Sequence, residues 1–177
     1  MQLSGRTESL FAGLGEIKVA RGTGVLGCIG LGSCVGTLLY DPTKGIAAIA
    51  HVMLPQPNGT EAVDLPGKYA TTAIPALLEL LGAKSFGASR LKAILIGGAE
   101  LFQNRQELLR IGERNVEKLH QLLMQAHIPI VFEDTGGQKG RSFEFDLATG
   151  NLTLRTVGDA PKMITFAPVL GMLAKAG

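Results

Sequence analysis

An α+β fold built on mixed, mostly antiparallel β-sheets is what this sequence predicts. Two observations carry that prediction. Apolar runs joined by short Gly- or Pro-containing turns, the mark of β-hairpins, lie toward both ends of the chain. Two stretches with helical periodicity occupy the middle. That segregation favours α+β over a doubly wound parallel sheet, in which strands and helices alternate.

Taken in order, Gly15–Ala20 and Val25–Cys28 read as short strands split by the turn Arg21-Gly22-Thr23-Gly24. Val35–Tyr40 and Ile46–His51 form a hairpin about Asp41-Pro42-Thr43-Lys44-Gly45. Pro55, Pro57, Asn58 and Gly59 mark a loop that runs on to Pro66. It leaves from the His51 end and is placed to wall a site there. Ala73, Ile74, Leu77, Leu78 and Leu81 recur at helical spacing and predict a helix over Tyr69–Leu81, stopped by Gly82. Pro75 is tolerated if it falls in the first turn, where N–H groups lack intrahelical partners. Leu91–Ile96 is a buried strand ending in Gly97-Gly98-Ala99. A second helix over Ile111–Ala126 carries Val116, Leu119, Leu122, Leu123 and Ala126 on one face, with Glu113, Arg114, Glu117 and Lys118 on the other. Ile128–Glu133 is a strand that enters the polar glycine loop Asp134–Arg141. Arg141–Asp146 and Asn151–Thr156 alternate around Ala148-Thr149-Gly150 as a hairpin. Beyond Val157, Pro161, Pro168 and Gly171 predict an irregular tail with a short terminal helix.

With 177 residues, 46% of them apolar, the chain suits a single globular domain over 1–177 with a full core. A net charge of +2 from scattered Lys and Arg argues against a nucleic-acid surface, which concentrates its basic residues. Two cysteines are too few for a disulfide scaffold. Residues Met1–Leu10 lack the apolar core of a signal peptide, and no apolar run approaches the ~18 residues of a membrane span. A cytoplasmic protein with reduced thiols is expected.

Chemistry concentrates between Gly30 and Pro55. Cys34 sits in Gly-Leu-Gly-Ser-Cys-Val-Gly at the start of one hairpin strand, and His51 ends the other. An antiparallel hairpin brings those two ends together, which is what a thiol nucleophile requires of its base. Gly30, Gly32 and Gly36 let a substrate approach the main chain. The N–H groups of Gly32, Ser33 and Val35 are candidate donors to an oxyanion. Packing is the commoner fate of a lone cysteine; the glycine loop and the hairpin together weigh against it here.

Other constellations are weaker. Gly136-Gly137-Gln138-Lys139-Gly140 lacks the spacing of a phosphate loop and reads as a structural turn. Cys28, Cys34 and His51 lack the paired spacing of a zinc site. His120 and His127 read as surface or boundary residues, and Ser33 lacks a nucleophile elbow.

Several stretches together resemble the chemoreceptor glutamine deamidases (CheD) of bacterial and archaeal chemotaxis. They are Gly30–Gly36, Tyr40-Asp41, Ala50-His51-Val52-Met53-Leu54-Pro55, Lys68-Tyr69-Ala70, Gly97-Gly98-Ala99, Ile111-Gly112-Glu113-Arg114-Asn115, Asp134-Thr135-Gly136-Gly137 and Gly140-Arg141, spread in order over residues 15–156. The resemblance implies a layered sandwich similar to deamidating-toxin cysteine hydrolases, acting on glutamine side chains of chemoreceptor cytoplasmic helices. It places the catalytic cysteine on Cys34 and the histidine on His51. A CheC-type phosphatase would be a regulatory partner, and neither metal nor organic cofactor is needed. The family's third catalytic residue, a threonine six positions before the nucleophile, falls on Cys28. A thiol is a weaker hydrogen-bonding group than a hydroxyl, so an adaptor of the same fold, binding receptors or the phosphatase without turnover, is the alternative. A cysteine hydrolase acting on a small amide or ester is a third.

Overall fold

A computed structural model describes residues 8–60, 62–83, 88–101 and 110–166. Its strands are β1 (Ser9–Phe11), β2 (Ile17–Arg21), β3 (Val25–Leu31), β4 (Val35–Asp41), β5 (Ile46–Val52), β6 (Lys92–Gly97), β7 (Ile130–Thr135), β8 (Arg141–Asp146), β9 (Asn151–Thr156) and β10 (Lys162–Thr165). The helices are α1 (Ala70–Leu80) and α2 (Ile111–Gln125), with a short 3₁₀ turn at Ala88–Arg90. One sheet has the order β1-β3-β8-β9-β10 and the other β2-β5-β4-β6-β7. Pairing is antiparallel except at β1–β3 and β6–β7, so the sheets are mixed and mostly antiparallel, as predicted.

Three layers result. Leu26, Leu31, Phe143, Phe145, Leu152 and Leu154 of the first sheet meet Leu38, Tyr40, Ala47, Ile49, Ile94 and Ile96 of the second. The other face of the second sheet, with Val35, Leu39, Ala48, Ala50 and Val52, is covered by Ala73, Ile74 and Leu77 of α1 and Leu119 and Leu123 of α2. β4 and β5 are therefore buried along their whole length. Buried on both faces, they read as continuous apolar runs instead of alternating ones. Their turn is fixed by Asp41 Oδ1, which accepts from the Thr43 N–H (2.9 Å), the Thr43 hydroxyl (2.6 Å) and the Lys44 N–H (3.2 Å).

Three expectations need correction. Pro75 lies past the first turn of α1, which begins at Ala70. It faces solvent, so water is at hand for the Thr71 carbonyl that loses its helical donor. β3 runs on beyond Cys28 to Leu31 through an irregularity in its pairing with β8. The tail forms β10, paired antiparallel with β9. Pro161 stands just before that strand, where its missing N–H costs no ladder bond. Residues 167–177, including the predicted terminal helix, lie outside the described residues.

Candidate active site

β4 and β5 pair with Gly36 opposite His51 and Val35 opposite Val52. Side chains alternate between sheet faces. Ala47 and Ile49 face the first sheet, so His51 does too; Leu38 and Tyr40 do so on β4, which puts Gly36 and Cys34 on that face. Cys34 and His51 are thus diagonal neighbours across the strand pair, at the end of the cleft between the two sheets. Cys34 packs on the inter-sheet core and is half-buried, while His51 is 3% exposed.

The glycines of the loop serve mainly to make room. A Cβ at Gly36 would stand 2.5 Å from the Phe143 ring, and one at Gly32 would stand 2.8 Å from Leu101 Cδ1. Of Gly30, Gly32 and Gly36, only Gly30 takes a positive φ, +70°.

Three successive carbonyls of the loop are held from behind. The Ala99 N–H donates to the Gly32 carbonyl (2.8 Å), Asn115 Nδ2 to that of Ser33 (3.0 Å), and the Gly98 N–H to that of Cys34 (2.8 Å). His51 is held by the link between β1 and β2, which crosses from one sheet to the other at this end. Its N–H donates to the Glu16 carbonyl (3.1 Å), its carbonyl accepts from the Gly15 N–H (3.0 Å), and its Nδ1 lies 3.0 Å from the Ala12 carbonyl. A carbonyl only accepts, so Nδ1 carries the hydrogen and Nε2 keeps its lone pair. Nε2 is buried and has no partner among the described residues. The Pro55–Pro66 loop packs on the same link, with Leu65 against Gly15.

Burial pushes the Cys34 thiol above its usual range, partly offset by its own backbone N–H. Burial likewise holds the His51 imidazole below its usual value, partly offset by the Ala12 carbonyl. The resting pair is a neutral thiol and a neutral imidazole, which are not hydrogen-bonded to each other. Such a pair suits proton transfer to Nε2 during attack on a carbonyl centre.

A model of the family described as CheD chemotactic sensory transduction matches residues 53–156, more than half of the chain. The chemoreceptor glutamine deamidase CheD of Thermotoga maritima is 41% identical over 151 residues, spanning 85% of this chain and 94% of that protein. That of Halalkalibacterium halodurans is 40% identical over 158 residues, spanning 86% and 96%. The chain belongs to the CheD family. A relative in Desulforamulus reducens, called a probable chemoreceptor glutamine deamidase CheD, is 38% identical over 166 residues and spans 93% of this chain and 100% of that protein. The CheD family match begins at Met53, whereas that coverage of 93% takes in the Cys34–His51 hairpin as well.

Within this CheD chain, His51 Nδ1 is bonded to the Ala12 carbonyl and not to Cys28. Cys28 lies in β3 opposite Phe143, fully buried in the inter-sheet core. Burial pushes the Cys28 thiol far above its usual range, and the neighbouring Cys34 adds to this. Val35 is also placed differently from expectation. The N–H and carbonyl of His51 point to the β2 side, so those of Val52 point to β4, where Val35 is its partner. The Val35 N–H is thereby directed into the ladder.

Ala12 and Asn115 are site residues that no sequence motif assigns a role. Ala12 acts through a backbone carbonyl, which leaves no side-chain signal. Asn115 is a buried polar position on an otherwise apolar helix face, a pattern that does mark it for a specific partner. The loop at 136–140 is a structural turn: Arg141 bonds Asp134 (2.8 Å) and the carbonyls of Gly136 (2.8 Å) and Lys139 (3.2 Å). His120 is a surface residue paired with Glu133 at 2.9 Å.

Proposed function

We propose that this chain is a protein-glutamine deamidase that converts glutamine side chains on chemoreceptor cytoplasmic helices to glutamate, through a thioester on Cys34. The observation that carries the reading is the bond from His51 Nδ1 to the Ala12 carbonyl. It leaves the Nε2 lone pair unengaged on the face that also carries Cys34. Family membership supplies the substrate class, from relatives named chemoreceptor glutamine deamidases.

His51 Nε2 takes the thiol proton as Cys34 Sγ attacks the side-chain amide carbon. The Cys34 N–H, beside the thiol, stabilises the resulting oxyanion. As the intermediate collapses, the C–N bond breaks and the imidazolium returns its proton to the departing ammonia. Water, deprotonated by Nε2, then hydrolyses the thioester to release glutamate and restore the thiol. The Ala12 carbonyl orients His51, and Cys28 serves as packing.

Exposed Leu14, Ile29 and Leu101 adjoin the segments that build the site, an apolar rim suited to a protein substrate. Among the described residues no helix is long and apolar enough to cross a membrane; action in the cytoplasm, with a CheC-type phosphatase as regulator, is part of the proposal. The test is ammonia release from a receptor cytoplasmic fragment. Turnover is expected from the parent and none from a folded Cys34→Ala variant; equal release by the two sinks the proposal.

A further inference from the structure

The amide of Asn115 occupies an unusual place. It is fully buried on α2, and its Nδ2 donates to two carbonyls at once, those of Ser33 (3.0 Å) and Met53 (2.9 Å). Both neighbours are acceptors, so the nitrogen must face them. One bond ends on the residue before the nucleophile, the other on the segment just after His51. The amide oxygen has no partner among the described residues, so the side chain is placed by its donors alone.

The peptide between Ser33 and Cys34 is trans, so its carbonyl and its N–H point in opposite directions. Asn115 pulls the Ser33 carbonyl toward the helix layer. The Cys34 N–H must then point to the other face of the sheet, where the thiol packs on the inter-sheet core. That N–H accordingly lies close enough to the thiol to lower its pKa. With the Val35 N–H directed into the ladder, the Cys34 N–H is the donor that an oxyanion at this thiol would meet.

We infer that Asn115 is the positioning residue of the oxyanion site: it aims the Cys34 N–H by holding the Ser33 carbonyl, and ties that loop to the His51 strand through Met53. This rests on Cys34 being the nucleophile and not on the identity of the protein substrate. Asn115 touches no substrate. Its effect should therefore appear in steps that pass through a tetrahedral oxyanion, and not in simple displacement at the same sulfur.

Two small probes separate those steps. p-Nitrophenyl acetate acylates Cys34 through a tetrahedral intermediate, whereas iodoacetamide alkylates it by direct displacement. The ratio of the two rates cancels any change in the thiolate fraction. Asn115→Ala is expected to lower that ratio roughly ten- to hundredfold, somewhat less than the full loss of an oxyanion donor. A purely structural role would change both rates alike, and an unchanged ratio overturns the inference. If Asn115→Ala does not fold, the isosteric Asn115→Asp takes its place. Its ionised carboxylate cannot donate, so the ratio should fall at high pH and recover toward the parent's as the carboxyl is protonated; a pH-independent parental ratio overturns the inference. A parent that is alkylated at Cys34 but never acylated overturns both this inference and the nucleophile assignment. A parent that is acylated, yet leaves receptor glutamines untouched, overturns only the substrate proposal.

Discussion

Gly97→Ala perturbs the support of the nucleophile without touching the nucleophile. Gly97 ends β6 at φ +119°, where a Cβ would fall on the Cys34 carbonyl oxygen and 3.3 Å from Leu31 Cβ. A side chain at such a φ costs about 1–3 kcal/mol. Displacing the Cys34 carbonyl also weakens its 2.8 Å bond from the Gly98 N–H, worth about 0.5–1.5 kcal/mol. The sum is about 1.5–4.5 kcal/mol, against a typical total stability of about 5–15 kcal/mol. At about 2–4 °C per kcal/mol for a chain of this size, the melting temperature should fall by roughly 3–18 °C while the protein still folds at 25 °C. Turnover per folded molecule should fall at least about tenfold, because a misplacement near 1 Å can cost about a hundredfold. Gly158→Ala is the control. Its φ is +83° with nothing within 4 Å of the added methyl, so it should cost only about 1–2 kcal/mol and leave turnover unchanged. Thermal melting and glutamine conversion on the same preparations decide. If Gly97→Ala matches Gly158→Ala in both, the loop is not held in the way described.

Cys28→Thr should leave turnover within about twofold, because the Ala12 carbonyl already orients His51. It should lower stability by about 1–3 kcal/mol for a hydroxyl buried among apolar groups, read by urea unfolding; a several-fold gain in kcat/KM would return the orienting role to position 28. Labelling of Cys34 by iodoacetamide should climb with pH beyond the ordinary thiol value of about 8.5, since burial raises that thiol. Cys28 should label only on unfolding, and peptide mapping that finds equal labelling contradicts this. His51 is held below its unfolded value of about 6.5. Its contribution to stability is therefore complete above that pH and is lost as pH falls through the window beneath it, where the unfolded chain binds the proton first. Urea unfolding should show a steeper loss of stability through that window in the parent than in His51→Gln.

Much of the site was legible because it rests on local geometry. Asp41 and Gly45 mark a short turn, and a short turn dictates that Cys34 and His51 share one end of a hairpin. The helices were legible through periodicity, Leu119 and Leu123 among others. What stayed hidden depends on contacts between distant segments. β1 has three residues and forms only by pairing with β3, so nothing local foretells the link that carries Ala12 to His51. β10 is likewise a product of its edge pairing. Glycines 32 and 36 suggested open approach to the main chain, but their cause is steric: Leu101 and Phe143 occupy the space a Cβ would take. The direction of the Val35 N–H follows from which neighbour His51 bonds, a fact of the three-stranded register and not of the glycine loop.

As proposed, Cys34 and His51 form the working pair of a glutamine deamidase. Peptide mapping by mass spectrometry of a chemoreceptor cytoplasmic fragment, before and after incubation with the protein, is the decisive experiment. Conversion of particular glutamines to glutamate is expected from the parent, and none from Cys34→Ala or His51→Ala variants that melt as folded proteins. A folded parent whose Cys34 accepts iodoacetamide, yet which leaves every receptor glutamine unchanged, would contradict that assignment.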